Sequence, residues 1–357
     1  MNTSQLIKFW KNKKVLVIGH TGFTGSWLVI FLSYLGATIS GYSLKNEKKH
    51  IIFNTLKLKN FLKYNCFADI NDPTLLLNFI KKVKPEIVIN LAAQPLVKMS
   101  YLKPIETYKT NVIGAINILH VSKDVKSIKA ILMVTTDKVY LNKEKNNTYK
   151  ETDELGGFDP YSSSKAASEI AIHSFQKSFF NKKNSAFIAT ARAGNIIGGG
   201  DWSEDRLVPD LIKSYFSKKM FIIRSPNSIR PWQRVLEAIY GYLILSQKLF
   251  EKKIYSKGAW NFGPNNDNFL KVKDLIKKIN SVSNLNIKWK IKKNKFQEAK
   301  ILKLNHNKAR LFLKWRPILS LNEMINFTFK WYFGMKKNKS KLYDLTISQI
   351  EYFMSKI

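Results

Sequence analysis

Three glycines spaced three residues apart, in the run Gly19-His20-Thr21-Gly22-Phe23-Thr24-Gly25, constrain this chain more than any other feature. The run just before them, Lys14-Val15-Leu16-Val17-Ile18, is short, apolar and β-branched, which predicts a buried parallel strand. Just after them, an apolar run opening on Ser26-Trp27-Leu28 predicts a helix lasting to about Gly36. A glycine turn between strand and helix lets the backbone approach a pyrophosphate. The helix adds unpaired N–H groups and the positive end of its dipole.

The strand–helix alternation continues along the chain. Residues 37–44 predict a second strand, whose end in a dinucleotide fold often carries an acidic residue for the adenosine ribose. Here that position falls on Ser43, Leu44 or Lys45, so the residues leave NAD and NADP both open. Asp69 is either an acceptor for an adenine amino group or a turn residue ahead of Asn71-Asp72-Pro73. Residues 85–94 predict a buried strand running into the small Ala92 and Ala93, which leave room for a flat cofactor. A helix follows over 105–122. Asn111 inside it is a poor mid-helix residue, with either a buried hydrogen-bonding duty or a place facing solvent.

Ala130-Ile131-Leu132-Met133-Val134 predicts another buried strand, ending in Thr135-Thr136-Asp137-Lys138. Alternation sends neighbours to opposite faces, so Asp137 and Lys138 share a site only if the strand has already ended. Tyr161 and Lys165 open a predicted helix to about Phe180 and lie on one face, ~6 Å apart along its axis. A phenol beside an ammonium titrates below its free value of about 10 and becomes a usable base for a hydroxyl. Residues 186–192 predict a further strand. Beyond the glycine-rich 194–200 the alternation breaks down, and 201–234 is rich in Arg, Trp and Pro, which suits a substrate lobe. A helix over 235–250 and a short strand over 258–263 follow, and the lysine-rich remainder completes the lobe.

The 357 residues, 45% of them hydrophobic, suffice for a sizeable core in one large domain or two unequal ones. No stretch reaches the ~18 apolar residues of a membrane span, and residues 1–14 lack the apolar core of an export signal. The single cysteine, Cys66, argues against disulfides and a cysteine-built metal site. We therefore expect a metal-free protein of the reducing cytoplasm. The net charge of +35 comes from 53 lysines and seven arginines against 25 acidic residues. The lysines are spread out, and no Arg–aromatic module of a nucleic-acid binder is readable. Their field would help gather an anionic small substrate. Four of the seven arginines fall between 206 and 234. Among them Arg206, Arg230 and Arg234 suggest planar bidentate donors for a diphosphate, or else pair with local carboxylates such as Asp205 or Glu237.

Taken together, the glycine turn, Asp69-Ile70, residues 90–94, Asn111, Thr136-Asp137-Lys138 and Tyr161-x-x-x-Lys165 resemble the extended short-chain dehydrogenase/reductase family of NAD-dependent epimerases and dehydratases. The strings 92–97, 155–161, 192–202 and 229–233 are most similar to those of its nucleotide-sugar 4,6-dehydratases that act on CDP-glucose. The likeness runs from about Lys13 to Pro317. It implies an α/β, Rossmann-type doubly wound parallel sheet over 1–193, with 235–263 returning to it. A smaller C-terminal substrate-binding lobe would comprise 194–234 and 264–357.

The resemblance further implies NAD bound at Gly19, Thr21, Gly22, Phe23, Gly25, Asp69, Ile70, Ala92, Ala93, Gln94 and Asn111, with Tyr161 and Lys165. CDP-glucose would lie against Gln94, Asn195, Arg206, Leu207, Arg230 and Arg234. Carried over, Tyr161 is the first base and Lys165 holds both that tyrosine and a ribose. Thr136 would bond the sugar 4-oxygen, Asp137 would be the acid and Lys138 the C5 base, unless Lys138 is a plain ion-pair partner of Asp137. A homodimer or homotetramer is expected, with no nucleic acid and no membrane as partner. Thr24 stands where the family usually has Lys, and Lys98 where Arg is expected. Gln297-Glu298-Ala299-Lys300-Ile301 and Asn305 also depart from the usual pattern.

Overall fold

A computed structural model of the chain describes residues 3–45, 51–144, 147–292 and 299–357. The departures at Gln297 and Glu298 lie outside them. The centre is a parallel sheet of seven strands: β1 (Lys14–Ile18), β2 (Thr38–Ser43), β3 (Leu62–Phe67), β4 (Ile87–Asn90), β5 (Ala130–Val134), β6 (Phe187–Ala193) and β10 (Gly258–Phe262). Their order is β10-β6-β5-β4-β1-β2-β3, so the chain reverses direction across the sheet between β1 and β4. Ligands of open α/β sheets bind outside the carboxyl ends of the strands at such a switch point.

Period-two alternation feeds two cores. Val15 and Val17 face a layer containing Trp27, Leu236 and Phe353, while Leu16 and Ile18 face one containing Leu76, Ile118 and Ile172. Strands buried on both faces read as continuous apolar runs, which is why β1 and β5 have the bounds their sequence predicts. Helix Phe23–Tyr34 is apolar almost all round because it is covered twice, by the sheet and by the C-terminal helix Leu342–Ser355. Phe353 of that helix packs edge-on against Phe31 at 6.3 Å, and Thr3 Oγ1 donates to the Met354 carbonyl at 2.8 Å. The final helix, expected in the substrate lobe, thus completes the outer layer of the sheet instead. Among the described residues no helix is long and apolar enough to cross a membrane.

Beyond β6 lie two small sheets. One joins β7 (Asn195–Ile197), β9 (Ile229–Arg234) and β11 (Phe269–Lys271); the other pairs β8 (Phe221–Ile223) with β12 (Trp289–Ile291). The predicted helix over 105–122 is broken into Pro104–Tyr108, a π turn Lys109–Ile113 and Gly114–Ser122. Asn111 sits in the π turn. Such bulges inside α-helices occur frequently at functional sites.

Candidate active site

The glycine turn closes on itself and on the end of β4. Gly19 has φ +84°, and a Cβ there would come 2.7 Å from the Ala92 nitrogen; one at Gly25 would come 2.1 Å from the Gly19 carbonyl oxygen. Gly22 is different. It is exposed, and a Cβ there would meet only the Gly19 oxygen, at 3.5 Å. Gly22 also caps helix Phe23–Tyr34 with no side-chain hydrogen bond, so the first N–H groups of the helix lack an intrahelical acceptor. These are the properties a pyrophosphate requires. Thr21 and Ser43 share a buried hydroxyl–hydroxyl bond of 2.7 Å, and Phe23 lies against Gly198 of the substrate side.

The walls of this cleft are stiffened by side chains expected to contact ligands. Asn111 Oδ1 accepts from the Gln94 nitrogen at 2.9 Å, and its Nδ2 donates to the Gln94 carbonyl at 3.2 Å and to Ser164 Oγ at 2.9 Å. The Gln94 amide in turn folds back onto Leu96 and Thr107. Both polar ends of each residue are therefore engaged by the protein. Asp69 accepts from the Asn71 nitrogen at 2.9 Å, its turn role, and Ile70 is packed against Gly114.

At the next strand over, β5 ends at Val134 and a one-turn 3₁₀ helix, Asp137–Val139, follows. The strand has ended before Asp137 and Lys138, so its alternation does not force them apart. Thr136 Oγ1 donates to Asp137 Oδ1 at 3.0 Å, and Thr136 also acts on the Tyr161 phenol, opposing its rise. Asp137 is 3% exposed and its Oδ2 is buried without a hydrogen-bond partner. Burial raises this carboxyl above the ordinary aspartate range, against the opposing pull of Lys138, Thr136 and Arg230. A buried carboxyl whose pKa is raised and whose second oxygen is bare is suited to donate a proton. Among the described residues no ion pair within 4 Å joins Lys138 to Asp137.

Asp159 caps helix Pro160–Phe179 by accepting from the Ser162 nitrogen at 2.9 Å, which sets Tyr161 and Lys165 in its first turns. Both are buried. Burial pushes Tyr161 up to about 12, with Thr136 opposing, and draws Lys165 down to about 8, with Glu169 opposing. The expectation of a lowered phenol is thus reversed here. Burial outweighs the opposing influences, while Lys165 Nζ donates to the Val134 carbonyl at 3.2 Å.

Of the three arginines expected at a diphosphate, two stand near these groups. Arg206, bonded to Asp201 at 3.1 Å, acts electrostatically on Tyr161, and Arg230, on β9, acts on Asp137. Arg234 does not belong with them. It is fully buried, bonded to Thr328 at 2.8 Å and to Gln349, with its guanidinium over the Trp27 ring. Asn195 at the start of β7 and Leu207 at the start of helix Leu207–Phe216 are half-buried on the substrate side. Lys98 pairs with Asp205 at 3.3 Å. Among the described residues no group of three His, Cys, Asp or Glu side chains is placed to hold a metal.

Sequence reasoning passed over the ion pair between Glu169 and Arg192, 3–4% exposed, with Nε to Oε1 at 2.9 Å. The signals were present. Glu169 lies four residues past Lys165, hence on the same helical face, and an arginine inside the apolar strand 187–193 requires a buried partner.

A glycine turn at a switch point, with a buried tyrosine–lysine pair beside an acid-bearing turn, defines a dinucleotide-dependent enzyme of the short-chain type. A family model described as GDP-mannose 4,6 dehydratase matches residues 16–328, and the chain belongs to this family of NAD-dependent epimerases and dehydratases. It is similar to the CDP-glucose 4,6-dehydratase of Salmonella typhimurium strain LT2, 41% identical over 329 residues that cover 91% of this chain and 91% of that protein. It is also similar to the UDP-glucose 4-epimerase of Mycoplasma genitalium, 23% identical over 336 residues, 88% of this chain and 94% of the relative. In fold it resembles the dTDP-glucose 4,6-dehydratase of Bacillus anthracis, solved in complex with NAD. The TM-score is 0.77 at 21% identity, covering 92% of this chain and 99% of that one.

Proposed function

We propose that this protein dehydrates CDP-glucose, giving CDP-4-dehydro-6-deoxyglucose and water by an oxidation, an elimination and a reduction in one site. The observation that carries the reading is the turn after β5. It sets Asp137, a buried carboxyl raised above its ordinary range, next to Lys138 and bonds it to Thr136, which also acts on Tyr161. An epimerase has no elimination to serve and needs no such acid–base pair. The nucleotide and sugar follow the 41% identical relative.

The residues present fit NAD: the glycine turn and the open helix end would hold its pyrophosphate, and Ala92 and Ala93 would leave room for its flat ring. When bound, NAD supplies a hydride acceptor for C4 and a hydride donor for C6. Tyr161 takes the proton of the 4-hydroxyl while Thr136 holds the same oxygen. At about 12 the phenol needs a positive charge brought to it, and Lys165, one helical turn away, is the chain's own source. With a ketone at C4 the C5 proton is acidic. Lys138 removes it, Asp137 delivers its proton to the departing 6-hydroxyl, which leaves as water, and Lys138, now protonated, returns a proton to C5 as C6 is reduced. Arg206 and Arg230 receive the diphosphate. Two copies would associate through the exposed apolar side chains of Leu102, Ile105, Ile113 and Ile170.

Purified protein incubated separately with CDP-glucose and with dTDP-, UDP- and GDP-sugars tests the proposal. The 4-keto product, read by its near-ultraviolet absorbance in alkali, is expected from CDP-glucose alone. A C4-epimerised sugar with no keto product would overturn it.

A further inference from the structure

Tyr161, Lys165 and Glu169 stand four residues apart on one buried face of helix Pro160–Phe179. Glu169, which has no part in the reaction proposed above, is the most heavily bonded of the three. Its Oε1 accepts from Thr135 Oγ1 and from Arg192 Nε at 2.9 Å; its Oε2 accepts from Thr190 Oγ1 at 2.7 Å and from Arg192 Nη2 at 3.0 Å. Arg192 carries the network on. Its Nη1 donates to the Tyr140 hydroxyl at 2.8 Å and to the Glu151 carbonyl at 3.3 Å, and the Tyr140 hydroxyl donates to Asn261 Oδ1 at 2.7 Å.

Thr135 immediately precedes the catalytic residues 136–138, and Tyr140 closes the 3₁₀ turn that carries them. One end of the turn is therefore tied to the carboxylate of an ion pair and the other end to its guanidinium. Burial alone would raise the Glu169 carboxyl, but Arg192 and the hydrogen bonds from Arg192, Thr135 and Thr190 hold it below the ordinary glutamate value. The pair is charged in place. Buried ion pairs contribute little to stability beyond what apolar packing would, and registry is their best-attested use.

We propose that the Glu169–Arg192 pair is a positioning clasp that holds both ends of the turn 135–140 and so fixes Asp137 and Lys138 against Tyr161 and Lys165. The catalytic consequence rests on the function proposed above; the clasp itself does not. Removing Glu169 or Arg192 would strand the partner's charge in the interior, so the ends of the turn are the better targets. Thr135→Val and Tyr140→Phe each delete a tie and leave the ion pair whole, while Thr135→Ser keeps the hydroxyl.

The test uses the full chain with its cofactor retained, and reads amide hydrogen exchange over 135–140 together with kcat and KM on CDP-glucose. Faster exchange in that segment is expected in Thr135→Val and Tyr140→Phe, and the fastest in the double variant, with Thr135→Ser at the wild-type rate. A misplaced catalytic group costs up to about 100-fold, so kcat of the double variant should fall ~10- to 100-fold with KM little changed. Unchanged exchange over 135–140 in the double variant overturns the clasp. So does a loss that Thr135→Ser shares equally with Thr135→Val. A wild-type protein inert on CDP-glucose, with the variants still loosened in 135–140, would sink the proposed function and leave the clasp standing.

Discussion

Two turns at the carboxyl edge of the same sheet are held in opposite ways. The glycine turn after β1 keeps its shape through missing side chains: backbone presses on backbone where Gly19 meets Ala92 and Gly25 meets Gly19. The turn after β5 keeps its shape through side chains that reach far, Thr135 to Glu169 and Tyr140 to Arg192 and Asn261. A cradle for an anion requires backbone N–H groups and empty space, which glycine provides locally. An acid and a base that must act in sequence require fixed side chains, and those need support from elsewhere in the chain.

The largest effect that would break this contrast lies in the first turn. Gly25→Ala places a Cβ about 2 Å from the Gly19 oxygen, so the turn must open and retention of NAD should be abolished. Gly22→Ala sharpens the point, because its Cβ has space in the protein alone. It should keep the wild-type melting temperature and still lose bound NAD. Cofactor content after gel filtration, measured beside thermal unfolding, separates the two. Loss of fold in Gly22→Ala would contradict the cradle.

A smaller and more selective effect is expected in the second turn. Asp137→Asn removes the acid and should lower kcat by ~10²–10⁴ without loss of NAD. The raised carboxyl also fixes a sign. Between its unfolded and folded values the native state binds more protons, so the stabilisation present at low pH is lost as pH rises through that window. Asp137→Asn should flatten this decline in a pH series of melting temperatures. An unchanged slope would place the titration elsewhere.

How much of this was legible in the sequence follows the same contrast. The bounds of β1 and β5, the glycine turn and the helical phase of Tyr161 and Lys165 are local properties, and the structure reproduces them. What sequence reasoning missed depends on partners distant in the chain. Asn111 has the buried hydrogen-bonding duty that is one of its two readings, but the π turn that brings its amide to Gln94, 17 residues earlier, is not encoded locally. Arg234 looks like Arg230 in a chain poor in arginine. Its partners, Thr328 and Gln349, lie 94 and 115 residues away, and they make it part of the core. The phenol of Tyr161 was expected to be lowered by spacing alone. Spacing does not encode the burial that raises it instead.

The central claim is that the turn after β5 performs an elimination, and Lys138→Ala with CDP-glucose tests it most directly. The variant keeps Tyr161, Lys165 and the cofactor cradle, so oxidation at C4 should survive. Reduced cofactor should then accumulate on the enzyme, seen as near-ultraviolet absorbance, with no deuterium entering C5 from solvent and no 4-keto-6-deoxy product. Formation of that product at close to the wild-type rate would contradict the account and remove Lys138 from the reaction.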